Sequence, residues 1–208
     1  MIHAEAVIDR ELKRCLGQMT KGVQVVSATH GDITRAYTSH WVCQVAFEEP
    51  ALLVSISPKH DTHAILVASG RCTVSVLAGD QVTEGQYFSY PGRRFRYLGD
   101  EYLAEVEGGG RTWQAVPGCI AWLGCEVLEQ LRPSAAAGVD HDLFLVRAIA
   151  SGEGRLREPA LTYSSRQGWR IAADRAREKG TSVRDVLLAR LAALGLDAGD
   201  DAPEDPDG

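Results

Sequence analysis

Between residues 23 and 150 the sequence sets one strand-like run after another, with a single clear helical segment among them. The runs 23–28 (VQVVSA), 51–57 (ALLVSIS), 72–78 (CTVSVLA), 119–130 and 142–150 are largely apolar, and 72–78 alternates with period two. Pro58 ends the second run, because proline donates nothing to a ladder. Residues 29–32 (THGD) are turn-like. Residues 62–69 (THAILVAS) read as a short helix, with Asp61 or Thr62 as its N-cap and Gly70 as its stop. A doubly wound sheet needs a helix after nearly every strand, and this chain lacks that rhythm. A mainly β, antiparallel barrel is therefore expected.

The flanks differ in kind. Ala4, Val7, Ile8, Leu12, Cys15, Leu16 and Met19 recur at helical spacing and give an N-terminal helix one apolar stripe. Residues 80–117, rich in Gly, Tyr and Arg, read as a short helix followed by a long functional loop. The segments around 161–163 and 169–171 suit a final hairpin. Beyond them Ser182 and Asp185 resemble a helix start, and Val183, Val186, Leu187, Leu191 and Leu194 share one face. Residues 197–208 carry six acids and no base. The expected organisation is a domain over 1–171, a helical extension over 172–196 and a disordered acidic tail over 197–208.

That tail accounts for the formal charge of −6, since the rest of the chain sets 22 acids against 22 bases. A neutral body without a long basic patch gives nucleic acid no foothold. No run approaches the roughly 18 apolar residues of a membrane span. The N-terminal MIHAEAVIDRELKR is charged where a signal peptide would be apolar. Five cysteines without a CxxC pair argue against a disulfide framework or a structural zinc site. A cytoplasmic protein with no membrane or nucleic-acid partner is expected.

Two stretches carry more chemistry than a barrel requires. Residues 37–45 (YTSHWVCQV) place two hydroxyls, an imidazole, an indole and a carboxamide within eight positions. Residues 55–63 (SISPKHDTH) place hydroxyls, Lys59 and a helix N-terminus together, and free backbone N–H groups beside a cation suit a phosphate. His60, Asp61 and His63 have metal-ligand character, but no third and fourth ligand is evident. Cys43 reads as a small apolar filler. Cys119 and Cys125 are too far apart along one strand to bridge. Arg93, Arg94 and Arg96 form a basic loop with aromatic neighbours, open to a dinucleotide or to solvent.

The order of five segments, MTKGVQVVSA, AYTSHWVCQVAFEEPALLVSIS, KHDTHAILVASGRCTVSVL, VDHDLFLVRAIASG and EPALTY, resembles the flavin reductase-like family over roughly residues 8–170. The branch of flavoredoxin-type and NAD(P)H:flavin oxidoreductase proteins is the most similar. The resemblance implies a six-stranded, Greek-key, FMN-binding split β-barrel that works as a homodimer. It implies that Thr38 and Ser39 line the flavin, that Trp41 and Gln44 pass beside its ring and ribityl chain, and that Ser55 and Ser57 meet the ribityl and phosphate. Lys59, Thr62 and His63 match the phosphate-holding segment, and Ser89 a further phosphate-side contact. His141 matches the histidine of a Gly-Asp-His motif on the nicotinamide side and is the catalytic candidate, with Val139 in the glycine's place.

The activity so implied is that of a flavin reductase. FMN (FAD being possible) takes hydride from NADH or NADPH and passes electrons to free flavin, oxygen, a flavin-dependent monooxygenase or another acceptor. Hydride moves directly to the flavin, so no essential acid or base is expected. A loop of Thr, Ser, Trp and Gln supplies the hydrogen bonds and aromatic wall that a flavin ring needs from its protein. An FMN electron-transfer protein without efficient NAD(P)H turnover is the alternative. A split barrel using a deazaflavin, haem or pyridoxal phosphate comes third.

Overall fold

The protein is described as a computed structural model over residues 10–89, 102–136, 139–164, 168–170, 189 and 192–193. Most of the helix expected over 182–194, the acidic tail, the first nine residues and the arginine-rich loop lie outside the described residues.

The elements run α1 (Arg10–Leu16), β1 (Lys21–Gly22), β2 (Gln24–His30), β3 (Ile33–Ser39), β4 (Val42–Gln44), β5 (Ala51–Ile56) and α2 (Asp61–Ser69). There follow β6 (Arg71–Val76), α3 (Val82–Tyr87), β7 (Ala104–Gly108), β8 (Arg111–Ala115), β9 (Ala121–Leu131) and α4 (Pro133–Ala136). β10 (Asp142–Glu153), β11 (Thr162–Ser164) and β12 (Gly168–Arg170) complete the order. The main sheet runs β3-β2-β6-β9-β10-β5-β4, every pair antiparallel, and curls into a half-barrel. Six of its strands are the expected barrel, and β4 adds three residues at the edge. The final hairpin is present as β11–β12, with β1 on its other side. No described helix is long and apolar enough to cross a membrane.

Period-two alternation sends side chains into two cores. On β2, Val25 faces one core while Val26 and Ala28 face the other. The second core also takes Cys72 and Val74 of β6, Val54 and Ile56 of β5, and Phe144 and Val146 of β10, and Leu66 of α2 closes it. The first lies under α3 and the β7–β8 hairpin around Trp113, Trp122, Tyr87 and Phe88. Buried hydroxyls serve that hairpin: Ser27 donates to the carbonyl of Gln114, and the Val116 N–H donates to Ser75.

β9 and β10 form the longest pairing, and it slips twice, at Leu145/Val146 and at Ala148/Ala150. Each slip is a bulge that bends the strand and redirects the residues beyond it. The first extra residue, Leu128, lies on β9, so Phe144, Val146 and Ala148 of β10 keep to the second core. The second, Ile149, lies on β10, and beyond it Ala150 packs against the first core.

Four expectations need correction. Residues 80–117 are not a short helix and a long loop, since α3 is followed, beyond the undescribed residues, by the β7–β8 hairpin. Its glycines hide a period-two pattern whose buried members are only Trp113 and Ala115 on β8. Residues 33–39 form a strand, although the polar character of 37–45 points to a loop. The cap of α2 is His60, not Asp61 or Thr62, and its side chain makes no capping bond. Cys43 is exposed on the edge strand rather than filling a core. Gly70 does end α2, at φ 64°.

The first core depends on a close approach. A Cβ on Gly124 would lie 2.4 Å from the Trp113 ring. Gly124→Ala should destabilise the fold by about 1–3 kcal/mol, as overpacking does. Urea unfolding measures this, and an unchanged midpoint would contradict the Trp113 packing.

Candidate functional site

β3 and β4 are the opposite edges of the curled sheet, and β3, the loop into β4, the end of β5 and the start of β10 meet where the curl brings β3 to β5. Ser39 ends β3, buried, and its hydroxyl accepts the Trp41 N–H at 3.1 Å. The Trp41 carbonyl accepts the Ser55 N–H at 3.1 Å, so the loop is stitched to β5. Tyr37, buried beneath, donates its hydroxyl to the Ser55 carbonyl at 2.9 Å. Burial pushes that phenol far above its ordinary value, so it serves as a neutral donor. Thr38 ties in α3, donating its N–H to the Phe88 carbonyl and its hydroxyl to the Gly85 carbonyl at 2.6 Å.

Trp41 is half exposed and forms the wall of the mouth. Its ring lies edge-on to His141 at 4.9 Å, and Lys21 stands over it at 5.2 Å. His141 Nδ1 meets Asp140 at 2.7 Å, and this partner, above all, holds the Asp140 carboxyl below its usual range. With Nδ1 engaged by the carboxylate, Nε2 is the ring nitrogen left for another partner. His60 lies beside Tyr37 at 5.2 Å, and its pKa is pushed down by burial and then by His141, against an opposing pull from Asp61. Neither Lys21 nor Lys59 has an ion-pair partner among the described residues.

At the other end of the mouth the Lys59 N–H donates to the Ser57 hydroxyl at 3.4 Å, and the His60 N–H to the Ser57 carbonyl at 3.0 Å. Because His60 supplies no side-chain cap, the first turn of α2 keeps N–H groups for an outside acceptor. Lys59 is exposed next to that turn. This donor set, with Trp41 as a flat apolar wall, fits an aromatic group bearing a phosphate.

The structure thus brings Thr38, Ser39, Trp41, Ser55, Ser57, Lys59 and His141 to one mouth. Thr62 is buried in the first turn of α2. Ser89 sits just past α3, its hydroxyl donating to the Gln86 carbonyl at 2.7 Å. Gln44 lies opposite Leu52, further along the edge, and its amide donates to the Ala46 carbonyl at 2.7 Å. His63 turns to Asp142, 3.0 Å away.

Three contributors do not stand out in the sequence. Lys21 reaches Trp41 only through the pairing of β1 with β11, which no local pattern reveals. His40 stacks on Tyr163 of β11, ring centres 4.3 Å apart, for the same reason. Asp142 does leave a signal, as a carboxylate opening an apolar strand. A separate cleft of about 210 Å³ opens beyond the last β2–β6 pair and is lined by Ser27, Thr29, Arg71, Thr73, Trp113 and Gln114. None of the expected site residues line it.

Residues 16–169 match the family model of the flavin reductase like domain. The chain is 27% identical over 146 residues to FMN reductase (NADH) RutF of Stutzerimonas stutzeri, a match covering 69% of this chain and 78% of that protein. It is 23% identical over 131 residues to diflavin flavoprotein A 1 of Synechocystis, covering 61% of this chain and only 22% of that longer protein. Among solved structures, BorF, the flavin reductase component of a bacterial two-component tryptophan halogenase, is 28% identical with a TM-score of 0.63, covering 80% of this chain and 99% of BorF. A putative flavin reductase from Haemophilus somnus 129PT is 17% identical, a likeness of fold, with a TM-score of 0.66 over 78% of this chain and 97% of that one.

The rim also sets a pH dependence. Burial, then Lys21, lowers the His40 pKa from 6.5 to about 4. The unfolded chain therefore binds the extra proton first, and stability falls as pH drops from 6.5 toward 4. His60 acts in the same direction. His40→Gln should flatten the fall in melting temperature across that window. A curve parallel to the parent's would assign the effect to another group.

Proposed function

The chain belongs to the flavin reductase-like family, and from that premise we propose that it is a flavin-dependent oxidoreductase. It binds FMN, with FAD as the alternative, at the mouth formed by β3, β5, α2 and the head of β10, and uses NADH or NADPH to reduce it. The observation that carries this reading is a lysine without an ion-pair partner among the described residues, Lys59, beside the uncapped α2 N-terminus and the half-exposed wall of Trp41. When bound, the flavin supplies the redox chemistry, accepting hydride and passing electrons on.

The chain's own residues bind and orient. Lys59, Ser57 and the first N–H groups of α2 hold the phosphate, with Thr62 and Ser89 on the same side. Thr38, Ser39 and Ser55 line the middle of the mouth, where their backbone is already fixed by the bonds to Trp41, Tyr37 and Phe88. Trp41 covers one flank and excludes water. His141, held by Asp140 and Trp41, stands on the nicotinamide side with Nε2 left for another partner. Gln44 approaches the ring only if its bond to Ala46 is released.

Electrons pass to a flavin-dependent oxygenase or another acceptor, a reading supported by the halogenase and monooxygenase reductases of the same fold. The match to part of a diflavin flavoprotein favours the second reading, an electron-transfer module without efficient nucleotide turnover. The working unit is a homodimer. Leu12, Leu16, Val45 and Phe47 are each about half exposed or more, and pairing would cover such a surface.

Steady oxidation of NADH or NADPH that depends on added FMN separates the two readings. Turnover with either nucleotide supports the reductase, and bound FMN without turnover supports the electron-transfer module. Lys59→Ala should weaken FMN binding by about 1–3 kcal/mol, through loss of a charge-assisted contact. Unchanged affinity in a fluorescence titration would place the phosphate elsewhere. Sedimentation should give twice the 22.5 kDa chain mass. A monomer with FMN bound would count against the dimer.

A further inference from the structure

Asp142 opens β10 as a buried carboxylate directly ahead of the apolar run Leu143, Phe144, Leu145 and Val146. Such a group is costly inside a protein unless its oxygens are hydrogen-bonded. Ser134 of α4 donates to Oδ1 at 2.5 Å, and His63 of α2 and Gln130 of β9 donate to Oδ2 at 3.0 and 3.4 Å. Burial alone would raise the carboxyl, but these bonds outweigh it and hold it below its ordinary value, so the anion is the form the site keeps. Three segments converge on this residue, and its chain neighbour is His141.

We propose that Asp142 is a positioning residue with His63 as its partner: together they clamp the connection between β9 and β10 onto α2 and so set His141 against Trp41. This rests on the reading of the mouth as a flavin and nicotinamide site, and it gives His63 a task other than phosphate binding. A ring nitrogen already donating to a carboxylate is not available to an anion, and a phosphate drawn to it would face the Asp142 charge. The ring is further pinned edge-on to Phe144, a core residue, at 5.5 Å.

The two ends of the mouth should respond differently when the clamp is cut. Ser57 and Lys59 follow directly from β5, and α2 stays docked through buried Thr62 and Leu66. The connection before His141 has no such anchor among the described residues. Loss of the Asp142 carboxylate releases Ser134 of α4, while Gln130 stays held in the β9–β10 ladder, so the segment that carries His141 is the part set free.

The test compares the FMN-loaded full-length protein with Asp142→Ala, Asp142→Asn, His63→Ala, His63→Gln and the double variant Asp142→Ala/His63→Ala. FMN affinity and the kinetics of bound-flavin reduction by NADH or NADPH are both measured. Asp142→Ala and His63→Ala should each raise the nucleotide KM about tenfold or more, the scale on which misplacement of a reacting group acts, with FMN affinity changed less than about threefold. His63→Gln, which keeps a donor, should recover most of the loss, and Asp142→Asn should fall between parent and Asp142→Ala. The double variant should be no worse than the worse single variant, because both cut one clamp. The proposal is overturned if His63→Ala weakens FMN as Lys59→Ala does while nucleotide kinetics on the saturated protein stay at parent values. Additive losses in the double variant overturn it as well. If the parent holds FMN but neither nucleotide reduces it, the reductase reading fails and the clamp is judged on the His141 ring resonances by NMR. Those must shift in both alanine variants, and unchanged resonances overturn the clamp on its own.

Discussion

The pairing of β9 with β10 is the interaction on which the rest of the structure depends. It joins β6 on one side to β5 on the other, so without it the sheet falls into two halves. The slip at Ile149 turns residues of one face of β10 from one core to the other, Ala148 facing the second and Ala150 the first. The close approach of Gly124 to Trp113, and of Gly152 to Trp122, comes from the same bend. The far end of the pairing leads back to Asp142 and His141. The element that closes the core thus also positions the mouth.

Much of this is legible in the sequence. The strands with strong alternation or continuous apolar runs, and the helix before Gly70, stand where the pattern puts them, because burial on a defined face leaves a periodic mark. The β7–β8 hairpin leaves almost none, since it fully buries only Trp113 and Ala115 of β8 and β7 contributes only the partly buried Val106 to the core. β3 is obscured because even its buried positions, Thr34, Tyr37 and Ser39, carry hydroxyls. The order of five segments, from MTKGVQVVSA to EPALTY, is enough to name the family. What no local pattern can supply is contact between distant segments: Lys21 over Trp41, His40 on Tyr163, and His63 on Asp142. The histidine three residues past His60 looks interchangeable with it, yet the helix turns the two toward different partners.

The mouth also differs electrically from the rest of the chain. The body is neutral, yet Lys21 and Lys59 stand at the mouth without an ion-pair partner among the described residues, and His40 and His60 are held uncharged by burial. Lys21 and Lys59 can draw in an anionic ligand, while the ionised Asp140 on His141, which also feels the Lys59 charge, offsets part of that positive charge. The aromatic wall adds a flat contact that is indifferent to charge. That combination is what the proposed flavin site calls for, an anionic end beside Lys59 and an aromatic end beside Trp41.

The most direct test of this account is where FMN sits in a crystal of the complex. The account predicts the phosphate within hydrogen-bond reach of Lys59 Nζ and the first N–H groups of α2, with the ring system against Trp41 and within contact of His141. FMN bound instead in the cleft of Arg71, Ser27 and Trp113, or with its phosphate away from α2, would contradict it.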